Sequence, residues 1–109
     1  MKIELLFLDG RRTERDIPKN RAIRTISGLI GAECTDCVNL RDGRVMIVDD
    51  TGMLDGKPIN QQATALYHSI YSTPFSIHGD VAIAVDEDFA EKQRGDEAGG
   101  DSHVLRNAD

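Results

Sequence analysis

The sequence predicts an α+β fold: a mainly antiparallel sheet with two helices packed on one face, in the order ββαββαβ. Three observations predict it. Five short segments carry the alternating or continuous apolar pattern of strands. Asp9-Gly10 and Asp42-Gly43 fall between such segments, where Asp-Gly marks a tight hairpin. Two longer segments each follow an Asn and then repeat apolar residues at helical spacing.

Lys2–Leu8 reads as a strand that is apolar on both faces, hence central. Asp9-Gly10 turns the chain into a second strand over Thr13–Ile17, which Pro18 ends. Asn20 is placed to cap a helix running through Ile30, with Ile23, Ile26 and Ile30 on one stripe and Gly31 as its stop. Gly28 weakens that helix, and its presence there predicts close packing. Thr35–Leu40 and Arg44–Asp49 form a hairpin around Arg41-Asp42-Gly43. After a loop with three turn signals, Asn60 caps a second helix from Gln61 to about Tyr71, with Ala63, Leu66, Tyr67 and Ile70 inward. Pro74 follows its end. Val81–Val85 closes the sheet, and the small Ala82 and Ala84 on one face predict a helix close against it.

The apolar period dissolves near Asp86, so one α+β domain is expected over residues 1–88, followed by a flexible, acidic, Gly-rich tail over 89–109. The charge divides accordingly. Residues 1–85 carry 10 Lys/Arg against 11 Asp/Glu, whereas residues 86–109 carry 3 against 8. The net −6 is thus a property of the tail, which argues against a surface that imitates DNA. No basic stripe marks the rest, and with no Trp, two Tyr and three Phe there is little to stack bases on. Nucleic acid is therefore a disfavoured partner. No apolar run approaches a membrane span, and no basic-then-apolar leader opens the chain. With two cysteines as well, the cytoplasm is the expected compartment.

Cys34 and Cys37 have the spacing of a zinc knuckle or redox pair, but a structural zinc site needs four ligands. On a strand their side chains would also diverge, so they are read as ordinary half-buried residues and no metal is assigned. Asp49, Asp50 and Asp55 lack the spacing of a calcium loop and read as turn acids. No nucleophile elbow or flagged acid–base pair appears, and no motif calls for a cofactor. The chain is accordingly expected not to be an enzyme. The best candidate corner is the start of the second helix. Asn60 caps it, and the free N–H groups there could receive an anion with Lys57 nearby. Asp49, Asp50, Thr64, Arg41 and Arg44 complete the candidate set, since Arg41 and Arg44 flank a hairpin turn and could add charge.

Val45–Asp50, Gly52, Gly56, Pro58, Asn60, Ala63-Thr64, Leu66-Tyr67 and Gly79-Asp80-Val81 resemble a family of small uncharacterised proteins of bacteriophages, plasmids and related mobile elements. The shared pattern is Pro-x-Asn-x-x-Ala-Thr-x-Leu-Tyr followed by Gly-Asp and a closing strand. It covers about the middle half of the chain. Members often carry Arg after the Asn, where this chain has Gln61-Gln62. The resemblance implies a setting: a non-enzymatic accessory protein that binds a host protein, in counter-defence or host takeover. The alternative is a module that holds a nucleotide or cyclic nucleotide near Asn60, Thr64 and the Arg-bearing turns. An enzyme of unknown type ranks third. An edge strand such as Thr13–Ile17 also offers a route to a homodimer.

Overall fold

The computed structural model describes residues 1–85. The expected tail over 89–109, and the last residues of the expected domain, lie outside them. Five strands and two helices follow in the order β1 (Lys2–Leu6), β2 (Arg12–Asp16), α1 (Ala22–Ile30), β3 (Thr35–Asn39), β4 (Arg44–Asp49), α2 (Gln61–Ile70) and β5 (Val81–Val85). The α+β class and the order ββαββαβ are as the sequence predicts. The sheet runs β2-β1-β5-β4-β3, and each neighbouring pair is antiparallel. Two local hairpins, β1–β2 and β3–β4, are joined by the last strand, which inserts between them.

The helices lie on opposite faces, not on one. Ile3, Leu5, Cys37, Val45, Ile47, Ala82 and Ala84 pack with Ala22, Ile26 and Ile30 of α1. Leu6, Val38, Met46, Val48, Val81 and Ile83 pack with Ala63 of α2, flanked by Leu66, Tyr67 and Ile70. The reason is in the strands themselves. β4 and β5 are apolar on both faces, so a single helical layer would leave Met46, Val48, Val81 and Ile83 in water. Four such side chains represent about 6–12 kcal/mol of burial, which rivals the whole net stability of a small domain. A second layer is required. Ala82 and Ala84 face α1, as their size predicts.

Two details of α1 also depart from expectation. Its boundary residue is Arg21, in the left-handed region at φ 58°, and no side chain caps it. Asn20 falls one residue too early to cap. Gly28 is exposed, and a Cβ added there would meet nothing within 4 Å. At the other end Gly31 stops the helix as predicted, at φ 71°, with Ala32 N–H donating to Ser27 O at 2.9 Å.

Candidate functional site

The candidate corner forms where β4 ends, α2 begins and residues 77–80 lead into β5. Asp49, the last residue of β4, has a side chain only 2% exposed and ion-paired with Lys57. Its carboxylate also accepts the Thr51 N–H at 3.0 Å. Burial pulls the Asp49 pKa upward, but the Lys57 ammonium and the Thr51 backbone N–H outweigh it and hold the carboxyl below its ordinary value. Lys57 Nζ donates in addition to Gly31 O at 2.7 Å. That carbonyl is at the C-terminal end of α1, where the helix dipole favours a cation. Lys57 is thus clamped between β4 and α1 rather than directed at the start of α2.

Asn60 is fully buried. Its Oδ1 accepts the Ala63 N–H at 3.1 Å, which is the predicted cap. Its Nδ2 donates to Leu6 O at 3.0 Å and to Gly79 O at 2.9 Å. Its backbone N–H donates to Ile77 O at 2.8 Å, and its carbonyl accepts the Thr64 N–H at 2.9 Å. The side chain therefore ties α2 to β1 and to the segment before β5. Thr64 acts beside it: its hydroxyl accepts the Ile77 N–H at 2.9 Å and lies 3.3 Å from Ile77 O.

The same segment is held from the other side. His78 Nδ1 lies 2.7 Å from Lys57 O, and because a carbonyl only accepts, that nitrogen carries the proton. Gly79 N–H donates to Pro58 O at 2.9 Å. Gly52 lies against His78, where a Cβ would come within 2.8 Å of the His78 carbonyl oxygen. Asp80 accepts the Leu8 N–H at 2.8 Å. Loops 50–60 and 77–80 are thereby pinned together and to the sheet.

The remaining candidates stand elsewhere. Asp50 is exposed and contributes its backbone N–H to Cys34 O at 3.0 Å. Arg44 opens the strand that Asp49 closes, so the two ends are separated by about 17 Å of extended chain. Arg44 grips the Asp42 carboxylate through Nε and Nη2, at 3.1 and 2.7 Å from Oδ2. The guanidinium of Arg41 lies 4.6 Å over the Tyr71 ring, beyond the far end of α2. Asp49, Lys57, Asn60 and Thr64 thus share one end of the molecule, and Arg41 and Arg44 the other. Cys37 packs in the core on the α1 face, while Cys34 is exposed.

Two features escaped the sequence. Leu54 is 83% exposed and Phe75 64%, with Met53 and Ile59 also outward; Met53, Leu54 and Ile59 lie on loop 50–60, and Phe75 lies just before segment 77–80. The signal was present as Met53-Leu54 between two turn motifs and Phe75 after Pro74, in positions where turn chemistry alone asks for polar residues. Gln62 Nε2, in the first turn of α2, is buried without a hydrogen-bond partner. Among the described residues, no three His, Cys, Asp or Glu side chains are grouped so as to hold a metal ion. No helix among them is long and apolar enough to cross a membrane.

No curated protein matches the chain, and no solved structure does so. A family model does: the domain of unknown function DUF3846 matches residues 1–94, most of the sequence, and the chain belongs to that family.

Proposed function

We propose that this chain is a non-enzymatic binding protein that engages a host protein through the loop surface bearing Met53, Leu54, Ile59 and Phe75. One observation carries the reading. Large apolar side chains stand in water on anchored segments. Met53, Leu54 and Ile59 are on the loop held by the Lys57 clamp, the Asn60 latch and the close approach of Gly52 to His78. Phe75 is on the segment after α2, where its carbonyl lies 2.6 Å from His68 Nε2. Exposed apolar groups on an ordered frame favour association, because little side-chain and loop entropy remains to be lost. The resemblance to phage- and plasmid-borne proteins supplies the setting: action in the host cytoplasm, in counter-defence or host takeover.

A nucleotide-holding module has less support. The Asn60 amide and Thr64 hydroxyl are engaged within the fold, and the two arginines lie at the opposite end. A thermal-shift screen separates the two readings. A nucleotide at a hundredfold its dissociation constant would add about 2.7 kcal/mol of stability, whereas the binding-protein reading expects no shift.

The decisive experiment replaces Leu54 and Phe75 by Asp together. Both side chains are exposed, so the thermal midpoint is expected to stay within about 2 °C of the parent. Plaque formation by a phage that depends on this protein, on a defended host, is expected to fall to the level of the deletion. Unchanged plaque formation with a folded double variant would sink the proposal.

A further inference from the structure

β2 and β3 are the two edges of the sheet, and their outward backbone groups differ. On the β2 side, Phe7 N–H donates to Arg11 O and Ile17 N–H to Met1 O. By the alternation of an antiparallel ladder, Thr13 and Arg15 then direct their N–H and C=O toward β1, while Arg12, Glu14 and Asp16 direct theirs outward. No described residue hydrogen-bonds those outward groups. On β3 the outward positions are Thr35, Cys37 and Asn39. There the Asp36 carboxylate accepts the Cys37 N–H at 3.0 Å, and the Tyr71 hydroxyl donates to Asn39 O at 2.6 Å. One edge is blunted by the side chains of Asp36 and Tyr71, and among the described residues the other is open.

The open edge is also charge-balanced. All five residues of β2 are exposed, and they read Arg12, Thr13, Glu14, Arg15, Asp16. A strand charged to repel other chains would carry one sign. This one carries two of each and is nearly its own complement when reversed.

Symmetry limits how a second copy can pair with it. The twofold axis stands normal to the sheet, so each residue keeps its face, and opposed residues must share a face. A strand can then only be centred on a residue that meets itself. Centring on Arg15 opposes Glu14 to Asp16, a like-charge pair, and brings Pro18 against Arg12. Centring on Thr13 runs Asp16 onto Gly10, whose N–H already donates to Phe7 O at 3.0 Å, and opposes Arg11 to Arg15. Centring on Glu14 pairs all five residues. It sets Arg12 against the partner's Asp16 at both ends, and the outward groups of Arg12, Glu14 and Asp16 all find partners. Arg12 already reaches Glu4 in its own chain at 3.1 Å, and its guanidinium has donors enough for both carboxylates.

We infer that the chain forms a homodimer by antiparallel pairing of β2 with β2 of a second copy, centred on Glu14, so that two five-stranded sheets become one. The cost is a Glu14–Glu14 contact on the axis, with Cα atoms about 5.5 Å apart. That contact gives the test a sign. The inference stands on the sheet edge alone and is independent of the binding surface proposed above.

The experiment is sedimentation equilibrium of the full chain over a range of concentrations, with circular dichroism confirming the fold of each variant. The parent is expected to reach the mass of a dimer. Glu14→Gln removes the axial repulsion and is expected to tighten the dimer about two- to fivefold. Arg12→Asp is expected to weaken it about tenfold, and adding Asp16→Arg to restore it by exchanging the paired charges. A chain that stays monomeric at every concentration overturns the inference. So does a charge exchange that fails to restore association. Weakening by Glu14→Gln overturns the register, because that change weakens only a dimer centred on Thr13.

Discussion

The corner at the start of α2 and the turn between β3 and β4 look alike in sequence, since both are short, charged and built on Gly and Asp. They are held together by different means. In the β3–β4 turn the side-chain hydrogen bonds of Asp42 and Asn39 are local and exposed: Asp42 with Arg44 two residues on, and Asn39 Oδ1 with the Arg41 N–H at 2.7 Å. Among the described residues, the long-range contacts there come from Tyr71, to the Asn39 carbonyl and the Arg41 guanidinium. At the corner the contacts are long-range and buried, with Asn60 reaching Leu6 across 54 positions and Gly79 across 19. A local pair forms equally well in an unfolded chain and adds little to the native state. A long-range buried pair exists only when the fold exists, and its loss leaves groups that water cannot reach. The corner is therefore a structural latch, and the turn is a solvated loop.

The largest effect that tests this contrast is at Asn60. If it were only a cap, Asn60→Asp would be nearly neutral, since Asp caps as well as Asn. Asp has no amide protons, so Leu6 O and Gly79 O would face a carboxylate instead of two donors. Asn60→Asp and Asn60→Ala are both expected to cost about 3 kcal/mol or more, read from urea unfolding. A loss below about 1 kcal/mol for Asn60→Asp would reduce the residue to a cap and break the comparison.

A middle-sized effect belongs to Asp49 and Lys57. The Asp49 carboxyl is held below its ordinary value in the folded chain, so its contribution to stability is present above the unfolded value of about 3.9 and is lost as pH falls through the folded one. Asp49→Asn is expected to cost about 1–3 kcal/mol at neutral pH. The gap between parent and variant should close progressively below about pH 4. A gap that is constant with pH would mean that the Lys57 pairing contributes nothing and that shape alone matters there.

These residues also show what a sequence can carry. The strands and helices were legible because period and punctuation are local: Met46 and Val48 alternate with Val45 and Ile47, Gly31 stops α1, and Pro74 follows the end of α2. The cap at Asn60 was legible for the same reason, as its partner Ala63 is three positions on. Its second function was not, because Leu6 and Gly79 become its neighbours only after β5 inserts between the hairpins. The side on which α2 packs escaped for a related reason. It depends on which face of β4 and β5 is still uncovered once α1 has packed. Even so, the continuous apolar runs over Leu5–Leu8 and Val81–Val85 already asked for two covers, and that clue outweighs any preference for a single helical layer. The exposed Leu54 and Phe75 were hidden by the opposite habit, since loop residues near turn motifs read as turn chemistry whatever their side chains.

The smallest expected effect is at Arg44, and it sharpens the contrast because two readouts should separate there. The Arg44 side chain donates to Asp42 and holds that carboxyl below its ordinary value. Arg44→Ala is expected to let the Asp42 pKa rise toward the ordinary carboxylate range in an NMR titration. Both groups are well exposed, so water screens the pair and side-chain entropy opposes it. The urea midpoint should therefore barely move even though the titration does. At the corner the two readouts must move together, because the Asp49 carboxylate that titrates is the one that ties the loop to the sheet. If Arg44→Ala shifted the unfolding midpoint as far as Asp49→Asn, exposure would no longer distinguish the regions, and the charged turn would have to be counted among the elements that hold the fold.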